Sequence, residues 1–478
     1  MTKNETKEVK TKQYKILVLL FVGILMGAID ISIVAPAIPS IEQTIKINER
    51  DLGWIVSIYI LFNLVGISFF AKLSDMYGRR NIYILSILIF ALGSIFVSLS
   101  KSFVILLLGR AVQGFGSSGI FPVASAVIGD IFPPEKRGSA LGLIGTVFGF
   151  AFILGPLIAG VLLVYFEWNM LFLINLPVAL VLVFFSWKLL PSVKIGEGKK
   201  IDILGLITLT LTLASFAFGL SQIDQKNFII SIFSINVIPF ILFSIIFLIL
   251  FIIREKRIAN PVVKLSLFKS KQIKIVTIIA ICAGLTQSLV IFIPKYTISL
   301  FSVTNSTASL MLLPLVISSA VASPIIGRML DKYGSRIIVI SGMILVSIGM
   351  SLLLFTTTLQ LQFYISSIPF GFGITMLMSS PLRYIMLNEV PPSDRALTQG
   401  LLTIFISVGQ IVGTAIIPSL IVIDINGVLG YHIAMMILIL INTSLVFLAL
   451  KLKNRKLEME TLKIGTAYYT FKNKSFDK

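Results

Sequence analysis

Apolar residues along this chain fall in long runs broken by short polar stretches. The runs extend from Ile16 to about Ile38 and then over about 52–71, 82–99, 103–130, 138–163, 169–190, 202–221, 228–253, 273–293, 308–327, 337–357, 361–388, 397–421 and 432–450. An apolar run of some 18 or more residues is long enough to cross the roughly 30 Å hydrocarbon core of a bilayer as a helix. The pattern therefore predicts an all-α polytopic membrane protein with fourteen transmembrane helices. The first run follows a lysine-rich start, as in a signal peptide. It is too long for a cleaved signal core and lacks a small-residue cleavage site, so it reads as the first span.

Composition agrees with this reading. Of 478 residues, 56% are apolar or aromatic and 13% charged, which excludes an ordinary soluble protein. The formal charge of +19 does not mark a nucleic-acid binder, because the Lys and Arg residues sit in the breaks between runs and read as topology signals. One cysteine, Cys282, rules out a disulfide framework or a multi-cysteine metal site within one chain. One histidine, His432, argues against histidine-based catalysis and reads as a solvated residue at the outer surface.

Positive charge also sets orientation. One set of loops holds Lys72, Arg79 and Arg80; Lys136 and Arg137; Lys194, Lys199 and Lys200; Arg254, Lys256 and Arg257; Arg328, Lys332 and Arg336; and Arg395. The alternate loops hold only Lys46, Arg50, Lys101, Lys226 and Lys295. Cytoplasmic loops carry the excess of Lys and Arg, so both termini are expected in the cytoplasm. The break from Arg254 to Lys274 mixes lysines with Pro261, Val262, Val263, Leu265, Leu267 and Phe268, which suits either an amphipathic segment on the inner leaflet or a plain connector. The basic tail after Lys451 is expected to be mobile.

The chain repeats itself. Ala71-Lys-Leu-Ser-Asp75-Met-Tyr-Gly78-Arg79-Arg80 aligns with Gly327-Arg-Met-Leu-Asp331-Lys-Tyr-Gly334-Ser-Arg336, and Pro133-Pro134-Glu-Lys-Arg137 aligns with Pro391-Pro392-Ser-Asp-Arg395. Gly114-Phe-Gly116 matches Gly371-Phe-Gly373 at nearly the same offset. Duplicated halves are a common transporter plan. The expected organisation is a cytoplasmic segment at 1–15, a six-helix bundle at 16–190, an inserted helix pair at 191–253, a linker at 254–272, a second six-helix bundle at 273–451 and a tail at 452–478.

Few residues offer chemistry. Asp30 is the carboxylate placed near the middle of a span, where an Asp costs about 2.5–3.5 kcal/mol on insertion scales, so it should face the bundle interior or a wet cavity. It could exchange a proton as access alternates, or be a carboxylate held by interhelical hydrogen bonds with no proton turnover. Arg110 is the matching embedded cation, suited to support an acid, to oppose leak of cations or to bond backbone carbonyls. Gln113, Asn175, Gln287 and Gln410 are candidate cavity-lining residues. Asp75, Gly78, Arg79 and Arg80, with Asp331, Gly334 and Arg336 of the repeat, offer a turn, acids and cations that could latch the cytoplasmic side shut. Gly114-Phe-Gly116-Ser-Ser-Gly119 matches a dinucleotide fingerprint in letters only, since it lies inside an apolar run where small residues permit close helix packing. The fifth span, rich in glycine around Gly155, Pro156 and Gly160, can pack closely and kink.

These motifs together resemble the major facilitator superfamily, from about Tyr14 to Lys451, and within it the fourteen-span drug:proton antiporter family. Asp30-Ile-Ser-Ile-Val-Ala-Pro36-Ala-Ile-Pro39 is similar to that family's first-span motif, and Lys72-Leu-Ser-Asp75-Met-Tyr-Gly78-Arg79-Arg80 to the superfamily's loop between spans 2 and 3. Gly109-Arg110-Ala-Val-Gln113-Gly114 resembles the span 4 motif, and Gly155-Pro156-Leu-Ile-Ala159-Gly160 the antiporter motif of span 5. The alanines at 151 and 159 depart from the glycines usual in that pattern.

The resemblance implies a rocker-switch exporter in the plasma membrane, with Asp30 coupling protons to substrate and Arg110 assisting. It implies a monomer that uses no cofactor and no nucleic acid, is driven by the proton gradient, and carries a small amphipathic substrate, neutral or monocationic. A lipid or glycolipid flippase on the same scaffold is the alternative. A membrane-embedded enzyme is not expected, because no metal set or nucleophile–base pair is visible in the sequence.

Overall fold

The computed structural model describes residues 3–45, 49–191, 202–224, 227–258, 261–303, 305–356, 359–421 and 428–461. Lys46, Lys194, Lys199, Lys200, Lys226 and the chain after residue 461 lie outside them. No strand occurs among the described residues. The first set of helices is α1 (Lys3–Ile45), α2 (Glu49–Tyr77), α3 (Arg79–Ser98), α4 (Phe103–Ile131), α5 (Pro134–Tyr165), α6 (Met170–Leu173) and α7 (Asn175–Leu189). Next come α8 (Ile203–Ser221), α9 (Phe228–Ile232) and α10 (Ile238–Arg257). The last set is α11 (Lys271–Ser288), α12 (Ile293–Phe301), α13 (Asn305–Leu310), α14 (Leu313–Tyr333), α15 (Ser335–Leu354), α16 (Gln360–Met378), α17 (Pro381–Asn388), α18 (Arg395–Ile421) and α19 (Leu429–Ala449).

Among the described residues, 13 helical stretches are long and apolar enough to cross a membrane. Helix α5, with 32 residues, is about 48 Å long at 1.5 Å per residue. Several helices break where the apolar pattern ran on, and proline is the common reason. The run expected at 228–253 divides into α9 and α10, with Pro239 in the first turn of α10, where its missing N–H goes unneeded. The run at 361–388 divides at Ser379 and Ser380, ahead of Pro381. The run at 273–293 extends to Phe301 through a 3₁₀ stretch, Leu289–Phe292, and resumes as α12 at Ile293, with Pro294 in its first turn.

Among the described residues the two largest apolar cores are these. One joins Tyr83, Phe90, Val123, Val147 and Leu182 from α3, α4, α5 and α7. The other joins Val276, Val346, Met350, Phe363, Leu402 and Met435 from α11, α15, α16, α18 and α19. Outward faces remain apolar: Leu85, Leu88, Leu92 and Phe96 recur at helical spacing on α3 and are exposed, as a face in contact with lipid must be.

Close packing explains the glycine-rich stretch of α4. A Cβ on Gly114 would run into the backbone of Tyr59, one on Gly116 into that of Phe90, and one on Gly119 into Ser86 and Phe70. Gly371 and Gly373 of α16 meet Leu315 and Val346 in the same way.

The linker residues Val262 and Val263 are buried among Leu64 and Ile67 of α2, Leu206 and Leu209 of α8, and Leu397 and Leu401 of α18. Backbone N–H groups of Val262 and Val263 donate to Glu255 at 3.1 and 3.0 Å, which pins the turn. The tail is docked as far as residue 461, since Glu458 accepts from the N–H and hydroxyl of Ser335 and Arg455 donates to the Tyr384 hydroxyl at 2.7 Å. His432 is half-buried rather than solvated, with Nε2 3.3 Å from the hydroxyl of the buried Tyr296.

Candidate functional site

Asp30 lies on α1 with 1% of its surface exposed, and every polar contact recorded for its carboxylate is with a donor. Arg110 Nη1 of α4 reaches Oδ2 at 2.6 Å. Gln113 Nε2, one helical turn further along α4, reaches Oδ1 at 3.0 Å, and Asn175 Nδ2, at the start of α7, reaches the same oxygen at 2.9 Å. Ser94 of α3 closes the group, accepting from Gln113 at 2.8 Å and Asn175 at 3.1 Å. Arg110 Nε donates to the carbonyl of Ile55 and Nη1 donates also to Gln113 Oε1, and its guanidinium lies 4.4 Å from the centre of the Tyr59 ring. A buried charge is tolerable when it is paired and hydrogen-bonded, as this carboxylate is. Four helices, α1, α3, α4 and α7, thus converge on one carboxylate whose donor set suits the ionised form.

The sequence placed Asp30 and Arg110 inside the bundle but left open whether they touch. They form a direct ion pair. Gln113 and Asn175 belong to the same network rather than to a separate lining. Gln287 and Gln410 lie elsewhere, hydrogen-bonded to each other at 2.7 Å between α11 and α18. Ser94 and Tyr59 were not anticipated, since a serine and a tyrosine in apolar runs carry no local signal.

A second polar cluster ties the two halves together at the end where α2, α4 and α14 finish. Gly78 and Gly334 have φ of 93° and 85°, a region that favours glycine, and each turns the chain sharply from one span into the next. Asp75, at the end of α2, accepts from the N–H groups of Ala396 and Leu397 at 3.2 and 2.9 Å, so it caps α18 of the opposite half. Asp331, at the end of α14, accepts from the N–H groups of Gly138 and Ser139, both at 2.8 Å, and from the Ser139 hydroxyl, so it caps α5. Carboxylates at helix N-termini complement the helix dipole.

Arginines reinforce these caps. Arg79 pairs with Asp75 and, at 3.0 Å, with Asp130, and donates to the carbonyl of Pro392 at 2.9 Å. Asp130 also receives Arg395 Nη1 at 2.7 Å, and Arg137 donates to Asn388 at 2.8 Å. Asp130 and Asn388 were missed because they stand at the edges of runs and read as loop residues. Arg80 and Arg336 take no part in these contacts, and Arg80 Nε is buried without a partner.

Helix α5 presents two faces of small residues. Gly142 packs on Ser323 and Gly327 of α14, and Gly149 on Ala320, so this glycine face meets the other half. Gly155 faces α1, where a Cβ would overlap the Ser32 hydroxyl, itself donating to the carbonyl of Ala151 at 2.8 Å. Gly160 has open space around it. The side chain of Pro156 lies outside the described residues.

The family model described as Major Facilitator Superfamily matches residues 20–273 and 275–471. The chain is 31% identical to "Uncharacterized MFS-type transporter YfiU" of Bacillus subtilis, over 82% of this chain and 76% of that one. It is 30% identical to "Multidrug resistance protein 3" of the same organism, over 86% of this chain and 80% of that one. The crystal structure of the human organic anion transporter MFSD10 superposes with a TM-score of 0.70 at 14% identity, covering 91% of this chain and 99% of that one.

Proposed function

The chain belongs to the major facilitator superfamily, and from that premise we propose that it is a proton-coupled exporter of amphipathic small molecules. Membership makes it a multi-pass transporter of the plasma membrane and not an enzyme. In this reading the chain crosses the membrane fourteen times, α5 included, with both ends in the cytoplasm, and works as a monomer without a cofactor. The relative named for multidrug resistance supports a small amphipathic substrate. The flippase alternative draws no support from it.

The observation that carries the proposal is the Asp30–Arg110 pair, sealed inside the first half. A proton arriving on Asp30 discharges the carboxylate and frees Arg110 to rest on Gln113 and the Ile55 carbonyl alone. That event changes how α1 is held against α4. Because α1 also packs on α5, and α5 carries the glycine face that meets α14, a change at Asp30 has a direct mechanical route to the seam between halves. In this reading the Asp75 and Asp331 bonds hold the halves together at the cytoplasmic end and must part to admit substrate.

One proton suffices energetically. About 100 mV of membrane potential gives about 2.3 kcal/mol per charge, and half a pH unit adds about 0.7 kcal/mol. About 3 kcal/mol sustains roughly a hundredfold gradient of a neutral substrate. A monocation leaving as a proton enters moves no net charge and keeps only the pH contribution, so neutral substrates are driven harder.

The test uses inverted membrane vesicles under an imposed pH gradient, with a panel of fluorescent neutral and cationic dyes. Wild type should accumulate at least one dye on energisation, and Asp30→Asn should abolish the coupled part. Accumulation unchanged in Asp30→Asn rejects Asp30 as the coupling acid.

A further inference from the structure

A cation without a counter-charge lies in the second half. Arg383, on α17, is only 6% exposed, yet among the described residues it makes no ion pair. Its Nε has no hydrogen-bond partner, Nη1 is 3.4 Å from Gln399 Oε1, and the guanidinium lies 4.1 Å from the centre of the Phe121 ring. Burying an arginine this incompletely satisfied costs several kcal/mol, so packing alone does not account for it.

The surroundings are equally incomplete. The helix breaks between α16 and α17, and the hydroxyls of Ser379 and Ser380 at the break are buried with no partner. Ser380 immediately precedes α17 and stands three positions before Arg383, with Ser379 one position further back. Ser379 looks toward Gly145 of α5, because a Cβ on that glycine would lie 2.9 Å from the Ser379 Cβ. Gln399 holds the assembly in place by donating to the Arg383 carbonyl at 3.1 Å.

The cluster sits in the seam between halves. Phe121 lies on α4, eleven residues beyond Arg110, which is about 16 Å toward the Asp130 end at 1.5 Å per residue. It therefore lies between the Asp30 network and the caps of Asp75 and Asp331. Phe121 covers Arg383, and Gly145 of α5 covers Ser379, from across that seam, so parting of the halves there would uncover them.

We propose that Arg383, Ser379 and Ser380 form a substrate subsite that binds the carboxylate of an amphipathic molecule entering from the cytoplasm. A guanidinium flanked by hydroxyl donors is suited to an oxyanion and repels a bare cation. The subsite deepens the export reading above and rests on it. It favours amphiphiles that are neutral overall but carry one carboxylate.

Rhodamine B, a zwitterion with a free carboxylate, and its ethyl ester, a monocation, differ only at that group. Binding of each to the full-length protein in nanodiscs is read by fluorescence anisotropy, for wild type, Arg383→Gln and Arg383→Lys. Wild type should bind the acid tighter than the ester by about tenfold, the order of one charge-assisted hydrogen bond. Arg383→Gln should remove the difference by weakening acid binding and relieving the repulsion of the cationic ester, and Arg383→Lys should keep part of it. Equal affinity of wild type for both dyes, or equal loss of both in Arg383→Gln, overturns the subsite. The export reading is scored separately, by uptake of the ester into inverted vesicles under a pH gradient. Coupled ester uptake without acid preference keeps export and removes the subsite, whereas acid preference without coupled uptake does the reverse.

Discussion

Asp75 and Asp331 stand 256 positions apart and make like bonds in opposite directions, each accepting from backbone N–H groups near the start of a helix in the other half. Both partners of each cap come from different halves, so every one of these bonds must break when the halves separate at that end. The duplication of the loop thus has a mechanical meaning that a topology signal alone would not need.

Removing one cap should loosen the seam. Hydrogen bonds to a charged group are worth about 1.5–3 kcal/mol each, and Asp331→Asn keeps the shape while losing the charge. In a Cys282→Ser background, Ser323→Cys places a thiol in the buried contact between α5 and α14. Its labelling by a maleimide from the cytoplasmic side should rise by about tenfold in Asp331→Asn or Asp75→Asn. Equal labelling with and without the caps would count against a latch.

Arg110 should not tolerate lysine. The guanidinium serves Asp30, Gln113 and the Ile55 carbonyl at once and stacks on Tyr59, whereas an ammonium is a compact point charge with no planar fork. Dye accumulation in Arg110→Lys should fall by about tenfold or more, and Arg110→Gln, which leaves Asp30 buried and unpaired, should destabilise the protein by about 3–5 kcal/mol. Accumulation and thermal unfolding in detergent read the two effects. Wild-type transport in Arg110→Lys would mean the pair supplies charge balance alone.

Helix α5 distinguishes its glycines by position. Gly155→Ala forces a methyl onto the Ser32 hydroxyl and disturbs the bond to Ala151, an overpacking cost of about 1–3 kcal/mol. Gly160→Ala meets nothing and gains up to about 1 kcal/mol of helix propensity. Unfolding temperature should fall for the first and hold or rise for the second, and Ser32→Gly should restore the first. If both alanines behave alike, the Gly155–Ser32 contact does not set the packing of α1 on α5.

Docking of the tail should depend on pH. Burial pushes the Glu458 carboxyl above the ordinary glutamate range when it sits on Ser335, with the Ser335 bonds and Arg455 opposing the shift. A group raised on docking adds stability below its free value and loses it as pH rises through the raised one. Protease cleavage of the tail beyond residue 451 should therefore quicken from mildly acidic to neutral pH, and Glu458→Gln should flatten that dependence. A profile that is flat in wild type would assign the docking to Arg455 and Lys453 instead.

Much was legible from local pattern. Apolar run length located the spans because a helix must satisfy its backbone within itself in lipid, and the repeated Asp-x-x-Gly loops located the seam. The glycines of α4 were legible as packing residues, since no strand or soluble turn could precede them. The breaks at Pro239, Pro294 and Pro381 were smoothed over because apolar side chains continue through them, although the missing N–H interrupts the helix. Arg383 escaped notice because one arginine near the end of a run looks like every other loop cation.

The sequence by itself determined that this chain lives in a bilayer, that its Asp-x-x-Gly loop recurs 256 positions further on, and that Asp30 and Arg110 must avoid lipid. The first and last of these follow from transfer energies, which each segment carries with it wherever it packs. Only the tertiary structure decided that Asp30 meets Arg110, that Asp75 reaches Leu397 while Asp331 reaches Ser139, and that Arg383 meets no acid among the described residues. Such contacts join residues tens to hundreds of positions apart, and they depend on the rotation of each helix about its axis, which apolar surfaces on several sides leave undetermined until the neighbouring helices are in place.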